Sequence, residues 1–152
     1  MADSSTDISV DFNKNSVVVV GVDGSKAADQ ALYWAMKEAK LRNASLKIVH
    51  AWEYPSLVYG VYSDEGLDLE SGGKEILKRS TELARSIDAN TLITTVLKEG
   101  NAVSVLADEA ADADLLVVGS RGHGGFTSLV LGSVSSQLSH HSPAPLVIVN
   151  NR

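Results

Sequence analysis

The sequence predicts an α/β fold built on an open, twisted, five-stranded parallel sheet with helices on both faces. Five short apolar runs alternate with segments whose apolar residues recur at helical spacing. The runs at residues 16–22 and 115–118 are continuously apolar, which is typical of strands buried on both faces. Glycine-rich turns follow these two runs, and ligands of such folds bind beyond the carboxyl ends of the strands.

Each element has a local signal. Residues 1–13 are polar and aperiodic, so we expect a mobile tail before a single domain at residues 14–152. Ser25 is placed to cap the first helix and Asn43 to end it, and Asn101 is placed to cap the third. The predicted strands are residues 16–22, 45–52, 91–98, 115–118 and 146–149. The predicted helices are residues 26–42, 74–89, 102–110 and 133–140.

One connection is long. Residues 53–73 contain tyrosines, Pro55 and the pair Gly72 and Gly73, and they follow the second strand without a clear period. Connections in compact domains that have neither secondary structure nor a function are usually shorter than this. We therefore expect residues 53–73 to form either a flap or a surface for a partner.

Length, charge and cysteine content limit the classes of function. A chain of 152 residues buries roughly 70% of its unfolded surface as one domain. The absence of cysteine excludes disulfides and thiolate metal sites and fits a reducing cytoplasm. Nineteen acidic against thirteen basic residues give a net charge of -6, which opposes binding to nucleic acid or anionic membranes. No apolar run approaches the ~20 residues that span a membrane.

The stretch from residue 115 to residue 136 is the strongest candidate for function. It runs from a strand through glycines to a helix start, and both a glycine loop and a helix N-terminus present backbone N–H groups to anions. It is not a P-loop, because Gly125 and Phe126 stand where lysine and serine or threonine are required. It is a poor dinucleotide fingerprint, because Thr127 stands where the third glycine is required.

The glycines instead fit the pattern G-x2-G-x9-G-[ST], from Gly119 through Gly122 to Gly132 and Ser133. With this pattern, and with VVVVGVDGS, IVHAW, DLLVVGSRG and LGSVSSQLSHHSPAPLVIV in order, the chain resembles the ATP-binding branch of the universal stress protein family. The resemblance implies the strand order 3-2-1-4-5 in a Rossmann-like sheet. It also implies ATP as the ligand, with Mg or Mn bridging the phosphates.

The resemblance also implies which residues form the site. The adenosine would lie near the ends of the first two strands, with adenine meeting the backbone of Ala51, and the phosphates would lie over the glycine loop and the following helix. The implied binding residues are Gly21, Val22, Asp23, Ala51, Gly119, Arg121, Gly122, Gly132, Ser133, Val134 and Ser135.

Simpler roles compete with some of these assignments. Asp23 can serve only the turn before Ser25, and Ser133 can serve only as a helix cap. His50, within an apolar strand, is expected to be a hydrogen-bonded core or cleft-edge histidine. No histidine spacing indicates a metal site held by the protein.

Function remains open between several classes. We expect a nucleotide-dependent stress-response sensor or regulator, since no catalytic constellation stands out. The alternatives are an interaction module without nucleotide, a cyclic AMP binder, and a slow ATP hydrolase or autokinase that modifies Ser120, Thr127 or Ser128. In the sensor hypothesis, ATP orders residues 123–131 and changes the surface offered to an unknown protein partner. The family resemblance also implies a homodimer through the last strand, Leu146–Val149, a short apolar edge.

Overall fold

Helices and strands alternate throughout the described residues, which are 15–54, 68–122 and 131–150 of a computed structural model. The strands are β1 (Val17–Gly21), β2 (Ser45–Trp52), β3 (Ile93–Glu99), β4 (Leu115–Gly119) and β5 (Leu146–Val149). The helices are α1 (Lys26–Arg42), α2 (Leu69–Ile87), α3 (Ala102–Glu109) and α4 (Ser133–His141).

All neighbouring strands are parallel, in the order β3-β2-β1-β4-β5. This confirms the predicted fold class and strand order. Alternate side chains of the central strands point to opposite faces. Val18, Val20 and Ile48 pack with the apolar face of α1 in one buried cluster. Val19 and Val49 pack with residues of α3 and α4 in another. The helices therefore cover both faces of the sheet.

The caps of the helices follow their predicted signals. The Ser25 hydroxyl accepts a hydrogen bond from the Ala28 N–H at 3.2 Å at the start of α1. Asn43 ends α1 in the left-handed conformation, with φ 52°. The Asn101 side chain accepts from the first turn of α3. These three predictions are confirmed.

The predicted start of the second helix is wrong. Helix α2 begins at Leu69, and Gly72 and Gly73 lie inside it. Two glycines usually mark a loop, but here the Asp68 carboxylate caps the helix by accepting from the Ser71 N–H at 2.9 Å. Gly73 also allows a close approach to the sheet, because a Cβ atom at this position would lie 2.6 Å from Leu97 Cδ1. Packing against the sheet outweighs the low helix propensity of glycine here.

The predicted tail at residues 1–13 and the loop at residues 123–130 lie outside the described residues, as does most of the irregular stretch at 53–73. Among the helices of the described ranges, none has the length and apolar character needed to cross a membrane.

Candidate functional site

A cleft of about 610 Å³ opens at the carboxyl edge of the sheet because β1 ends before its neighbours. The pairing of β1 with β2 stops at Gly21↔Val49, and its pairing with β4 stops at Val20↔Val117. The outer pairs continue further, since β2 pairs with β3 as far as Trp52↔Glu99 and β4 pairs with β5 as far as Gly119↔Val149. The central strand is therefore the floor of a gap between two longer pairs of strands.

All eleven predicted site residues line this cleft. They are Gly21, Val22, Asp23, Ala51, Gly119, Arg121, Gly122, Gly132, Ser133, Val134 and Ser135. The structure therefore brings the ends of β1, β2 and β4 and the start of α4 together. The contact that each residue makes with a ligand stays a prediction.

Sequence reasoning missed several residues that line the same cleft. They are Ala28, Val49, Ala102, Leu106 and Val118. These are apolar residues of the surrounding strands and helices, and no sequence signal separates them from other core residues. His50, expected from the sequence as a core or cleft-edge histidine, lines the cleft as well.

The first turn of α4 presents backbone donors to the cleft. The first intrahelical hydrogen bond runs from the Ser136 N–H to the Gly132 carbonyl at 3.0 Å. The N–H groups of Ser133, Val134 and Ser135 precede that bond, so the helix itself offers them no acceptor. Together with the positive end of the helix dipole, these groups form a site suited to a phosphate group.

Gly132, and not Ser133, occupies the N-cap position of α4. Its backbone is extended, with φ -73° and ψ 172°, and among the described residues no side chain caps this helix end. The alternative in which Ser133 acts only as a cap is therefore wrong. The Ser133 hydroxyl belongs to the first helical residue and lies at the cleft.

Ser135 has a structural role that the sequence did not indicate. The residue is 2% exposed, and its single O–H donor lies between the carbonyl oxygens of Ser120 at 2.9 Å and Gly132 at 3.2 Å. The Ser120 carbonyl also accepts from the Gly132 N–H at 2.6 Å. Ser135 thus joins the end of β4 to the start of α4, and the group it offers the cleft is its backbone N–H.

The glycines of the G-x2-G-x9-G-[ST] pattern have different neighbours at each position. A Cβ atom at Gly119 would lie 2.9 Å from the carbonyl carbon and oxygen of Ala27, so this glycine lets α1 approach β4. A Cβ atom at Gly122 would lie 2.5 Å from Asp23 Oδ2. Gly119 is thus required for packing, whereas Gly122 keeps space beside a polar group of the cleft.

Asp23 connects the turn after β1 with the glycine loop. Its Oδ1 atom accepts a hydrogen bond from the Ser25 N–H at 2.9 Å, so the proposed turn role is present. Its Oδ2 atom is the one beside Gly122. The two roles considered for Asp23 are therefore compatible, because separate oxygens can serve the turn and the cleft.

His50 lies at the edge of the cleft with 9% exposure. Its Nδ1 atom lies 2.7 Å from the Val22 carbonyl oxygen. A carbonyl can only accept, so Nδ1 carries the proton of this hydrogen bond. The expectation of a hydrogen-bonded cleft-edge histidine is confirmed.

Acidic groups contribute little to the cleft. Asp23 is the only carboxylate among the described residues that line it. In the part of the chain that the structure describes, no group of three or more histidine and acidic side chains could hold a metal ion. An anionic ligand would therefore meet backbone dipoles and Arg121 with a single opposing carboxylate.

A family model identifies the family to which this chain belongs. The model described as the universal stress protein family matches residues 14–150. The chain belongs to the universal stress protein family. A universal stress protein of Mycobacterium tuberculosis is 33% identical over 149 residues, which cover 91% of this chain and 49% of the relative. The chain thus spans about half the length of the curated relatives it matches.

Solved structures of universal stress proteins share the fold. A crystal structure of a universal stress protein in complex with cAMP is 28% identical, with a TM-score of 0.70, and the match covers 90% of this chain and 97% of that one. The universal stress protein of Archaeoglobus fulgidus in complex with dAMP is 24% identical, with a TM-score of 0.66, and the match covers 88% and 97%. At that lower identity the likeness concerns the fold.

Proposed function

We propose that this universal stress protein binds ATP in the cleft over β1 and acts as a nucleotide-dependent regulator of a stress response. The observation that carries the proposal is the convergence of the α4 N-terminus with the ends of β1, β2 and β4 around about 610 Å³. Ligand pockets commonly have volumes of about 300–1,000 Å³. The cAMP complex of a relative at 28% identity supports an adenine nucleotide as the ligand.

The phosphates would lie at the start of α4. The N–H groups of Ser133, Val134 and Ser135 supply donors there, and the hydroxyl of Ser133 adds another. Gly122 and Gly132 border the same space, where the lack of a side chain lets a phosphate approach the backbone. Arg121 supplies a positive charge at the same border.

The adenosine would lie between the ends of β1 and β2. Asp23 can accept a hydrogen bond from a ribose hydroxyl. Val22 and the backbone of Ala51 form the wall for adenine. Gly21 and Leu106 also line the cleft there. A Cβ atom at Gly21 would lie 2.9 Å from Leu106 Cδ1, so Leu106 packs directly against the glycine backbone.

A divalent cation such as Mg or Mn would accompany ATP. When bound, it would offset the charge of the phosphates in a protein whose net charge is -6. Magnesium in nucleotide sites takes its ligands largely from phosphate oxygens and water, with few from the protein. The scarcity of carboxylates among the described cleft residues fits this manner of binding.

Calorimetry with purified protein tests the proposal. We expect Mg-ATP to bind with one site per chain and inorganic triphosphate to bind more weakly. Ser139→Ala is the control for Ser133→Ala, which removes a hydroxyl of α4 at the cleft. Ser139 lies in the same helix, and its exposed hydroxyl donates to Ser136. No heat of binding for any adenine nucleotide, with none copurifying, would refute the proposal.

Cyclic AMP is the second candidate, because the relative in the cAMP complex shares 28% identity over 90% of this chain. It shares adenine with ATP and lacks the triphosphate. A protein whose ligand is cyclic AMP would bind it more tightly than Mg-ATP and would be insensitive to loss of the Ser133 hydroxyl. Competition between the two nucleotides in one titration separates the candidates.

We propose regulation, not efficient turnover, as the role of bound ATP. Ser120, one candidate for autophosphorylation, is 3% exposed and lies under the α4 start. Thr127, Ser128 and the rest of the segment 123–131 expected to respond to ATP, apart from Leu131, lie outside the described residues. Amide exchange in that segment with and without Mg-ATP tests the regulatory hypothesis, and phosphate release measured on the same samples tests turnover.

We also propose a homodimer through β5. This strand forms one edge of the sheet, and all four of its residues are half-buried and apolar. Pro145, as acceptor from Leu116, and Val149, as acceptor from Ser120, face β4. By alternation, the backbone groups of Leu146 and Ile148 face the open edge, where a second copy could pair.

Ile148→Pro tests the dimer, because proline removes a donor that faces the open edge without removing one from the β4 ladder. Ile148→Ala is the matched control, since it also loses the side chain but keeps the N–H group. We expect the proline variant to be monomeric by light scattering and the alanine variant to stay dimeric. A monomeric wild-type protein at micromolar concentration would refute the dimer.

A further inference from the structure

The β1–β2 ladder ends beside a hydrogen bond made by a side chain. Odd-numbered residues of β2 bond to β1, since the Ser45 N–H donates to the Ser16 carbonyl and the Val49 carbonyl accepts from the Val22 N–H, both at 2.9 Å. Even-numbered residues bond to β3, as the Trp52 carbonyl does in accepting from the Gly100 N–H at 2.9 Å. The next rung toward β1 would join the Ala51 N–H to the Val22 carbonyl.

That rung is replaced. The register of the two strands ends at Gly21↔Val49. The Val22 carbonyl accepts from His50 Nδ1 at 2.7 Å, a group on the neighbouring residue of the same strand. Among the backbone hydrogen bonds of the described residues, none joins the Ala51 N–H to the Val22 carbonyl. The β1–β2 ladder thus ends at the residue where the cleft begins.

Helix α2 holds the imidazole in place. A Cβ atom at Gly73 would lie 3.0 Å from His50 Cδ2, so the glycine allows the helix backbone to close on the ring. On the same face of β2, the preceding side chains Leu46 and Ile48 are fully buried in the apolar cluster. The ring is thus enclosed by the helix and the sheet, and its Nδ1 atom makes the polar contact with Val22.

We propose that His50 is a positioning residue that keeps the edge of β2 open for adenine. By occupying the Val22 carbonyl, it leaves the Ala51 N–H directed into the cleft, where an acceptor nitrogen of adenine can reach it. The part that concerns adenine rests on the proposed nucleotide function. The part that concerns the ladder rests on the hydrogen bonds alone.

Amide exchange at Ala51 tests the ladder directly. Leucine at position 50 has no donor, so in His50→Leu the Val22 carbonyl is released and can accept from Ala51. We expect the Ala51 amide to exchange about tenfold more slowly in this variant than in the wild type, as one added hydrogen bond predicts. His50→Asn, whose amide N–H can replace Nδ1, should restore wild-type exchange. Equal or faster exchange in His50→Leu would overturn the inference.

Nucleotide selectivity tests the functional part. Inosine triphosphate carries a proton on N1 where adenine has an acceptor, so it should oppose the Ala51 N–H. We expect the wild type to prefer ATP over inosine triphosphate, and His50→Leu to lose about tenfold in ATP affinity and most of this preference. Affinity for inorganic triphosphate should be equal in both. Unchanged selectivity in a variant whose Ala51 exchange has slowed would refute the role in adenine binding.

The two failures are distinguishable. If the wild type binds no nucleotide while Ala51 exchange slows in His50→Leu, the proposed function is wrong and the ladder inference stands. If His50→Leu does not fold, measurements on the wild-type protein test the ladder inference instead. Its ¹⁵N spectrum should show a proton on His50 Nδ1, and its Ala51 amide should exchange faster than that of Val49. An unprotonated Nδ1 would overturn the inference.

Gly73→Ala offers an independent disturbance from the helix side. The added methyl group crowds the imidazole and Leu97, so the bond to Val22 should weaken and Ala51 exchange should slow. Gly72→Ala is the matched control, because a Cβ atom there has no neighbour within 4 Å among the described residues. An identical effect of both variants on Ala51 would contradict the role of the ring.

Discussion

The backbone of the central strand β1 is bonded differently at the two ends of the sheet, which are called here the amino edge and the carboxyl edge after the strand ends that lie there. At the amino edge, the Val17 N–H donates to Asp114 Oδ2 at 2.8 Å, and the Asp114 N–H donates back to the Val17 carbonyl at 2.9 Å. The Ser16 carbonyl is likewise taken by the Ser45 N–H. At the carboxyl edge, β1 stops while β2 and β4 continue. One edge closes its backbone groups within the protein, and the other directs them into a cleft.

This difference teaches where sequence changes should affect stability and where they should affect binding. Backbone groups satisfied inside the protein contribute to the free energy of unfolding. Groups directed into a cleft contribute mainly when a ligand is present. Residues of the carboxyl edge that also pack against a helix should affect both stability and binding. For these residues the two edges are not expected to differ.

Gly119→Ala should have the largest effect and should break the simple division between the edges. Its Cβ atom would lie 2.9 Å from the backbone of Ala27, so α1 would have to move away from β4. We expect a loss of about 3 kcal/mol in the free energy of unfolding, the upper range for overpacking. Urea unfolding measures it, and Gly72→Ala is the control, because its Cβ atom would meet no atom within 4 Å in the part of the chain that the structure describes. A stable Gly119→Ala protein would show that α1 tolerates the shift.

Gly122→Ala should affect binding more than stability. The added methyl group would lie 2.5 Å from Asp23 Oδ2, and Asp23 is held by the Ser25 N–H. We expect ATP affinity to fall at least about tenfold while the free energy of unfolding changes by less than about 1 kcal/mol. Calorimetry and urea unfolding on the same preparation measure both. Adding Asp23→Ala should remove the clash without restoring affinity; full recovery of affinity would exclude Asp23 as a ligand group.

Two serines of α4 should show opposite effects within one turn of helix. Ser133→Ala removes a hydroxyl at the cleft, so we expect a loss of about fivefold in ATP affinity with unchanged stability. Ser135→Ala removes the buried bond to the Ser120 carbonyl, so we expect a loss of about 1 kcal/mol in stability. Paired titrations and unfolding curves measure both quantities. A stability loss in Ser133→Ala would mean that its hydroxyl also supports the helix end.

Asp114→Ala tests the amino edge. It leaves the Val17 N–H without its carboxylate acceptor, and we expect the free energy of unfolding to fall by about 1 kcal/mol. ATP affinity should be unchanged, because Asp114 lies at the opposite end of the sheet from the cleft. A fall in affinity equal to the fall in stability would show that the two edges are coupled through β1.

The sequence predicted most of the fold because the local signals agreed with the final packing. The continuous apolar runs placed the strands, and Ser25, Asn43 and Asn101 placed helix ends. The start of α2 was predicted wrongly because Gly72 and Gly73 resemble a loop when their packing partners are unknown. The contact of Gly73 with His50 and Leu97 joins elements far apart in the chain, and no local pattern reveals it.

The sequence predicted which residues line the cleft, but it did not predict which of them pack inside the protein and which border the open space of the cleft. The family spacing brought Gly119, Gly122 and Gly132 into one motif, although the first packs against Ala27 and the second borders Asp23. The spacing also grouped Ser133 with Ser135, although the Ser135 hydroxyl is bonded inside the protein and the described residues show no such bond for the Ser133 hydroxyl. These distinctions depend on distances between elements, which spacing along the chain does not determine.

The smallest predicted effect compares the two ends of α2 in acid. The Ser71 hydroxyl and N–H lower the pKa of the Asp68 carboxyl at the start of the helix below its ordinary value of 3.8. At the end of the helix, the Thr91 hydroxyl, 2.6 Å from Asp88 Oδ2, lowers the pKa of Asp88 in the same direction. A lowered folded-state pKa contributes stability that is complete above the ordinary value and is lost as the pH falls through the lowered one.

Ser71→Ala and Thr91→Ala should each move this loss to higher pH, because each removes the hydroxyl that contributes most to the shift. Carboxyl ¹³C shifts followed from pH 6 to about pH 2 measure the two pKa values, a range set by the ordinary carboxyl titration. We expect each variant to raise the pKa of its own aspartate and to leave the other unchanged. If one substitution moved both, α2 would transmit acid-induced change from one edge of the sheet to the other, and the separation between the edges would fail.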